Sequence, residues 1–286
     1  MTTPDSAPIR TISDTACWSA VYRARETERS DALFRDPLAR RLAGAKGEQI
    51  AATMPFSDKN TWSWVARTWL FDHFIQQCVT RGADTVINLA AGLDTRPYRM
   101  SLPPTLRWFE IDLPEILDYK ESILTTERPV CSLERIRVDL TDAQARRAIF
   151  ERIGGGAANA VIVAEGFLIY LDEGHVADLS RDLHSVRTFR NWIIDLASPG
   201  LLKLLQKNMS AQLTAGGAPF QFAPPQGPGF FAGQGWRPAD VRSLLKTARG
   251  LKRLSWPMWL LSLLPASNGK QGSRPWGAVC LLERAE

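Results

Sequence analysis

The chain has 286 residues, which is enough for one large domain or for a domain with substantial insertions. Hydrophobic residues make up 45% and charged residues 23%, proportions typical of a globular protein with a full core. The formal net charge is +5, and the basic residues are scattered rather than collected in a run, which argues against a nucleic-acid partner. The mild positive charge slightly favours an anionic substrate.

The four cysteines and three histidines follow no metal or disulfide spacing. We therefore expect buried, reduced thiols and no metal site. The amino terminus lacks the basic segment and apolar segment of a signal peptide. The most apolar late stretch, Trp256 to Leu264, contains Pro257 and is too short to span a bilayer. These features predict a cytoplasmic protein with no membrane partner, and nothing in them indicates an oligomeric state.

Before residue 84 the pattern predicts helices, after a polar segment at 1–12 that we expect to be loose. The first helix begins near Ala16 behind the capping residues 13–15, the second runs from Asp36-Pro37 to Leu42 with stops at Gly44 and Gly47, and the third covers Trp62–Thr80.

From Asp84 onward, short apolar runs alternate with helical segments. Strands are predicted at 85–89, 106–111, 135–138, 160–164 and 192–196, and the helices between them at 114–125, 142–153 and 173–188. Strands that alternate with helices predict an α/β fold with a doubly wound, mostly parallel sheet.

Residues 199–235 interrupt this alternation with glycines, prolines and several aromatic residues. We interpret the segment as a lid insertion over the carboxyl edge of the sheet, with a short helix at 201–212. A helix at 238–247 and strands at 251–256 and 276–282 then bring the sheet to seven strands. The expected single domain has a helical cap (13–80), a cofactor-binding core (84–198), the lid (199–235) and a C-terminal part (236–286).

The turn Ala90-Ala91-Gly92 follows the first predicted strand, at the edge where doubly wound sheets bind ligands. Small residues there let the backbone approach a ligand. Asp112, about twenty positions after Gly92, is placed to bind two ribose hydroxyls. The rest of a Gly-x-Gly-x-x-Gly pattern is missing, which favours a cofactor with a ribose but no phosphate. A tight turn followed by a solvent-facing carboxylate is the alternative.

Two further carboxylates follow later strands. Asp139 ends the third strand and suits an adenine amino group, and Glu165 follows the apolar run 161–164 toward the same crevice. Asp139 could instead cap the helix near Asp142, and Glu165 could be a buried structural acceptor.

Three segments carry a resemblance to a known family. They are Asn88-Leu89-Ala90-Ala91-Gly92-Leu93-Asp94-Thr95-Arg96, Phe109-Glu110-Ile111-Asp112-Leu113-Pro114 and Ala164-Glu165-Gly166-Phe167-Leu168-Ile169-Tyr170-Leu171. In order and spacing they resemble the leucine carboxyl methyltransferase family, and more closely its bacterial branch, which includes polyketide O-methyltransferases. Residues 31–37 also look like that branch. The resemblance covers about residues 13 to 200 and weakens in the lid.

The resemblance implies a class I, Rossmann-like methyltransferase with S-adenosyl-L-methionine as cofactor and S-adenosyl-L-homocysteine as product. It implies these binding roles: Arg67 for the methionine carboxylate, Ala90 and Gly92 as pocket lining, Asp112 for the ribose, Asp139 and Leu140 for the adenine, and Glu165 for the sulfonium side. If the resemblance is set aside, the sequence shows Arg67 only as a charged residue on an amphipathic helix. Ala90 departs from the glycine of eukaryotic members.

The expected reaction is methyl transfer to a carboxylate or hydroxyl of a peptide or of a small molecule, such as a polyketide-like or other secondary metabolite, and the acceptor is expected to be anionic or aromatic. A carboxylate needs no general base, whereas an alcohol or phenol benefits from one. Glu165, Tyr170 and Tyr22 are the candidate catalytic residues, although Tyr22 fits a core role equally well. The lid aromatics suit an aromatic or acyl substrate or ordinary packing. A cofactor-binding protein without transfer activity and a nicotinamide-dependent oxidoreductase are the alternatives.

Overall fold

One mixed sheet organises the computed structural model, which describes residues 13–54, 61–215, 219–265 and 274–286. Its strands, within those residues, are β1 (Thr85–Leu89), β2 (Arg107–Asp112), β3 (Ser132–Arg137), β4 (Ala160–Ala164), β5 (Phe189–Ala197), β6 (Trp236–Ser243) and β7 (Gly277–Arg284). They lie in the order β3-β2-β1-β4-β5-β7-β6. The first five are parallel, and β7 runs antiparallel to β5 and β6. The strand order therefore reverses between β1 and β4, where such sheets bind ligands.

Helices cover the sheet and close over its carboxyl edge. They are α1 (Asp14–Thr27), α2 (Ala39–Thr53), α3 (Thr61–Thr80), α4 (Arg96–Arg99), α5 (Pro114–Ile123), α6 (Ala143–Gly156), α7 (Glu173–Ser185), α8 (Pro199–Ala215), α9 (Leu244–Gly250) and α10 (Trp256–Leu261). Short 3₁₀ helices occur at Leu168–Tyr170 and Gly227–Gln234. In the described parts of the chain, no helix is long and apolar enough to cross a membrane.

The core lies on both faces of the central strands. Every residue of β1 and β4 is buried, as expected for parallel strands with helices on both sides. One face packs around Trp192 with the aromatic side chains of Phe231 and Trp236, and the other face packs against α3. A third cluster joins α1, α2 and α5 beside the carboxyl edge.

Much of the predicted secondary structure is confirmed. The bounds of β1 and β4 are as predicted, and α3 begins one residue before the predicted helix. The sheet has seven strands and is mostly parallel. All four cysteines are buried free thiols. The prediction for residues 1–12 lies outside the described residues.

Two predictions near the C-terminus are wrong. Residues 236–243 form β6 rather than the start of a helix, and residues 251–256 form no strand, since α10 begins at Trp256. β6 is an edge strand with mostly exposed residues, so it lacks the apolar alternation that marks a half-buried strand. Pro238, which argues against a central strand, lies at a register shift beside β7 and is tolerated there.

The predicted end of the second helix is also wrong. Gly44 interrupts the helical backbone with φ 56° and ψ −170°, but α2 resumes and reaches Thr53. A glycine in that conformation makes a kink because it has no Cβ to clash. The helix predicted inside the lid is confirmed and is longer, as α8.

Candidate active site

The carboxyl ends of β1, β2, β4 and β5 surround a cavity of about 1040 Å³. Ligand pockets usually have volumes of about 300–1,000 Å³, so this cavity has room for two small molecules side by side. Seven of the predicted site residues line it: Tyr22, Arg67, Ala90, Gly92, Asp112, Glu165 and Tyr170. The cavity lies where the strand order reverses, as the sequence predicts.

The turn after β1 has an unusual backbone. Both Ala90 and Gly92 adopt left-handed conformations, with φ of 50° and 47°. A Cβ on Gly92 would lie 3.1 Å from the Cβ of Ala16, so α1 packs closely over the turn. The guanidinium of Arg23 on α1 donates to the carbonyl oxygen of Leu93 at 2.5 Å. The turn is therefore fixed by the helix above it as well as by β1.

Asp112 is held by the same turn. The backbone N–H of Gly92 donates to one carboxylate oxygen at 2.6 Å, and the N–H of Leu113 donates to the other at 2.7 Å. Burial raises the pKa of Asp112, and these two hydrogen bonds oppose that shift. Each carboxylate oxygen keeps a lone pair for a further donor such as a ribose hydroxyl.

A cluster of opposite charges lies across the cavity from α3 to β5. Nε of Arg67 donates to Oε1 of Glu165 at 3.1 Å, and Nη1 of Arg67 lies 3.4 Å from Oδ2 of Asp195. The guanidinium also lies over the Trp64 ring, 4.5 Å from its centroid. Burial works against the charge of Arg67, but the carboxylates of Asp195 and Glu165 raise its pKa.

Sequence reasoning missed Asp195, which lines the cavity at the end of β5. The backbone N–H of Gly166 donates to its Oδ1 at 2.6 Å. Burial raises the pKa of Asp195, and the nearby Glu165 charge adds to the shift, while Arg67 opposes it. The signal was present, because Asp195 is a charged residue inside an otherwise apolar predicted strand.

Arg96, quoted only as part of a motif, is a second missed residue. Its side chain is 3% exposed and pairs with Asp94 at 2.7 Å and with Asp72 at 2.6 Å. Its Nη2 donates to Oε2 of Glu165 at 2.7 Å. Glu165 is therefore held between two guanidinium groups, those of Arg67 and Arg96, which fixes its orientation at the cavity wall.

The two candidate tyrosines have different surroundings. Tyr22 is 1% exposed, stacks on Trp64 at 5.0 Å and accepts a hydrogen bond from Nε1 of Trp18, so it is packed in the core while also lining the cavity. The Tyr170 ring lies 5.3 Å from that of Phe220. Burial raises the pKa of Tyr170, although its hydrogen bond with Thr15 opposes the shift, so the phenol keeps its proton at neutral pH.

Asp139 and Leu140 are not brought to the cavity lining. Asp139 is exposed, and its Oδ1 accepts hydrogen bonds from the backbone N–H and hydroxyl of Thr141, both at 2.8 Å. Leu140 is buried in the core. The cap of α6 is Asp142 rather than Asp139. The adenine-binding role of Asp139 and Leu140 stays a prediction.

The chemistry of the lining fits S-adenosylmethionine. The methionine end of that molecule carries a carboxylate and an ammonium, which complement the guanidinium of Arg67 and the carboxylates of Glu165 and Asp195. Nε1 of Trp62, a lining residue on the same helix as Arg67, is buried and has no hydrogen-bond partner among the described residues, so it offers a donor to a ligand. The carboxylate of Asp112 suits the ribose hydroxyls.

A sheet of this order with these groups at its switch point defines the class I methyltransferase fold. The family model of leucine carboxyl methyltransferases matches residues 16–184, and the chain belongs to that family. The resemblance seen in the sequence motifs is therefore confirmed. The chain is a methyltransferase whose cofactor is S-adenosylmethionine, rather than a nicotinamide nucleotide.

Individual relatives agree with this assignment. A Streptomyces avermitilis protein that carries the name of an S-adenosyl-L-methionine-dependent methyltransferase is 33% identical over 253 residues, which cover 84% of this chain and 87% of that protein. A Streptomyces coelicolor protein with the same name is 37% identical over 57% of this chain and 60% of its own length. The crystal structure of a Thermobifida fusca protein described as a methyltransferase has a TM-score of 0.57 and is 16% identical, and the match covers 98% of this chain and 97% of that one. At that identity it shows the fold alone.

Proposed function

We propose that the protein is an O-methyltransferase that methylates a small-molecule acceptor at a carboxylate or hydroxyl oxygen. The observation that carries the proposal is that one continuous cavity has two kinds of lining. One part has the charged groups and the turn at the carboxyl edge of the sheet, and the other has apolar side chains from α8 and the segment after it. A cofactor and an acceptor can therefore bind next to each other in it.

When bound, S-adenosylmethionine would supply the methyl group of its positively charged sulfur to an acceptor oxygen, and S-adenosylhomocysteine would be the leaving group. In the proposed arrangement Arg67 binds the methionine carboxylate, and Glu165 and Asp195 bind the ammonium. Asp112 binds the ribose. These residues position the reaction rather than take part covalently, and positioning is worth on the order of 7–11 kcal/mol when two reactants are held in line.

A carboxylate acceptor fits the proton chemistry of the lining better than a hydroxyl. The histidines are placed elsewhere: His73 stacks on Trp69, His175 bonds to Asp172, and His184 packs edge-on against Trp236. Tyr170 keeps its proton and serves as a hydrogen-bond donor to an acceptor anion. Since a carboxylate is already ionised, it needs no proton removed before attack.

The test is methyl transfer from S-adenosylmethionine labelled in its methyl group to a panel of carboxylic acids and phenols. A methyl ester releases labelled methanol in alkali, while a methyl ether does not. We expect labelled product that is destroyed by alkali. A stable product would assign a hydroxyl acceptor, and S-adenosylhomocysteine binding without product from any acceptor would favour a binding protein that lacks transfer activity.

A further inference from the structure

The part of the cavity under α8 is lined by apolar side chains from two elements far apart in sequence. Leu201, Leu204 and Leu205 come from α8, and Met258, Leu261 and Leu264 come from α10 and the residues after it. We call these six residues the apolar arm. We propose, on the basis of the proposed function, that the acceptor is an amphiphile whose long hydrocarbon chain lies along this arm with its polar end at the charged groups.

The inner end of the arm meets the reaction site. Leu205 packs in the same cluster as Tyr170 and Phe220, both of which also line the cavity. The phenol of Tyr170 interacts electrostatically with the guanidinium of Arg67, which in turn pairs with Glu165. An acceptor whose chain lies along the arm therefore places its head beside the groups that bind the methionine end of the cofactor.

The outer end of the arm opens to solvent. Leu204, Leu261 and Leu264 line the cavity and are nevertheless 44%, 48% and 58% exposed. Trp256 and Trp259 of the same segment are also exposed. Exposed apolar residues that form one patch, rather than occurring singly, indicate an interaction site. Its continuity with the cavity points to an occupant that enters the site, and a hydrocarbon chain is one that covers these leucines without needing polar partners. Besides the arginines near the carboxyl edge of the sheet, the cavity lining includes the cations Lys246 and Arg274, and both of these residues are exposed.

The segment offers a matched control. Leu260 and Leu263 alternate with Leu261 and Leu264, are similarly exposed at 43% and 53%, and do not line the cavity. The double variant Leu261→Gln/Leu264→Gln removes apolar surface from the arm, while Leu260→Gln/Leu263→Gln removes the same amount from the neighbouring surface. Because all four side chains are exposed, both variants are expected to fold, and thermal midpoints check this.

The experiment is calorimetry on the full chain saturated with S-adenosylhomocysteine, titrated with straight-chain carboxylates from butanoate to tetradecanoate. We expect affinity to rise about threefold to fourfold with each methylene until the arm is filled. The arm variant should lose tenfold or more for tetradecanoate and little for butanoate, and the control variant should match the native protein.

Affinity that is independent of chain length, or an equal loss in both variants, would overturn the proposal. Co-sedimentation with phosphatidylcholine vesicles is measured in parallel. If both variants lose vesicle binding equally and keep the native affinity for carboxylates, the leucines belong to a surface that binds lipid membranes instead. Failure here is distinct from failure of the proposed function. A native protein that methylates short acids without chain-length preference contradicts only the arm, while one that does not bind S-adenosylhomocysteine contradicts the function.

Discussion

At the scale of single residues, the carboxylate of Asp112 accepts two hydrogen bonds from the protein backbone and is proposed to bind the ribose of the cofactor as well. Its oxygens accept the N–H groups of Gly92 and Leu113, and in our proposal they also accept the ribose hydroxyls. We expect Asp112→Ala to weaken S-adenosylhomocysteine binding by about tenfold, measured by calorimetry, because charge-assisted hydrogen bonds contribute about 1.5–3 kcal/mol each. Glu115→Ala is the control, since Glu115 is an exposed carboxylate three residues on. Equal affinity in both variants would remove Asp112 from the cofactor site.

Ala90 has a backbone conformation that a residue with a Cβ rarely adopts. Its φ of 50° is left-handed, which costs an L-residue with a Cβ about 1–2 kcal/mol. We therefore expect Ala90→Gly to raise the free energy of unfolding by about 1 kcal/mol in urea titrations. This value is a net effect, because the conformational entropy that glycine adds to the unfolded chain offsets part of the relieved strain. Ala91→Gly, at a neighbour without positive φ, should lower it by a similar amount. A loss of stability in both variants would mean that the turn is not strained.

At the scale of elements, the contact between α1 and α2 depends on Gly47. A Cβ there would lie 2.7 Å from the carbonyl oxygen of Cys17, and backbone cannot move aside as a flexible side chain can. We expect Gly47→Ala to lower the free energy of unfolding by about 1–3 kcal/mol. Gly155→Ala in α6 is the control, because its Cβ would meet open space, and it should stabilise the helix by up to about 1 kcal/mol. Urea midpoints of the two variants should move in opposite directions.

At this scale, sequence patterns predicted best the elements in which every residue has the same degree of burial. β1 and β4 are buried on both faces, so their apolar runs stand out from any flanking segment. β6 failed because an edge strand has no buried face to create alternation, and its pairing with β7 is set by tertiary context. The predicted end of α2 was wrong because a single glycine with a left-handed backbone can kink a helix as readily as end it.

The same limit applies to the candidate site. The turn after β1, Asp112 and Glu165 were predictable, because parallel topology brings those positions to one edge. The same reasoning placed Asp139 at that edge, but Asp139 lies beyond the end of β3 and does not line the cavity. Arg96 was not assigned a role, since nothing in its local sequence shows that it meets a helix residue, Asp72, and a strand-end residue, Glu165. Long-range charge pairing is fixed by the fold and leaves no periodic signal in the chain.

At the scale of the whole molecule, a chain of ion pairs connects the N-terminal helices to the sheet. Arg23 on α1 pairs with Asp36, whose Oδ2 also accepts a hydrogen bond from the hydroxyl of Thr95 and lies 4.0 Å from Nε of Arg99. Asp72 on α3 binds both Arg96 and Arg99 of α4. Arg96 then reaches Glu165 after β4, so the cap, the turn and the cavity wall share one set of charges.

Asp72 is the position at which this network is tested, because its carboxylate bridges two guanidinium groups and does not line the cavity. Burial opposes its ionisation, but Arg99 and Arg96 lower its pKa below the ordinary value of 3.8. A lowered folded-state pKa adds stability that is present above that value and is lost as the pH falls below it. Asp72→Asn should therefore lower the free energy of unfolding by about 3 kcal/mol at neutral pH, since it leaves buried cations short of a partner.

The difference between the native protein and Asp72→Asn should shrink as the pH falls below 3.8. Asp178→Asn is the control, because Asp178 pairs with Arg181 on the exposed surface of α7 and such pairs contribute at most about 1 kcal/mol. Affinity for S-adenosylhomocysteine, measured on the same samples, should fall in Asp72→Asn because Arg96 holds Glu165 at the cavity wall. Lost stability with unchanged affinity would show that the network supports the fold without positioning the site.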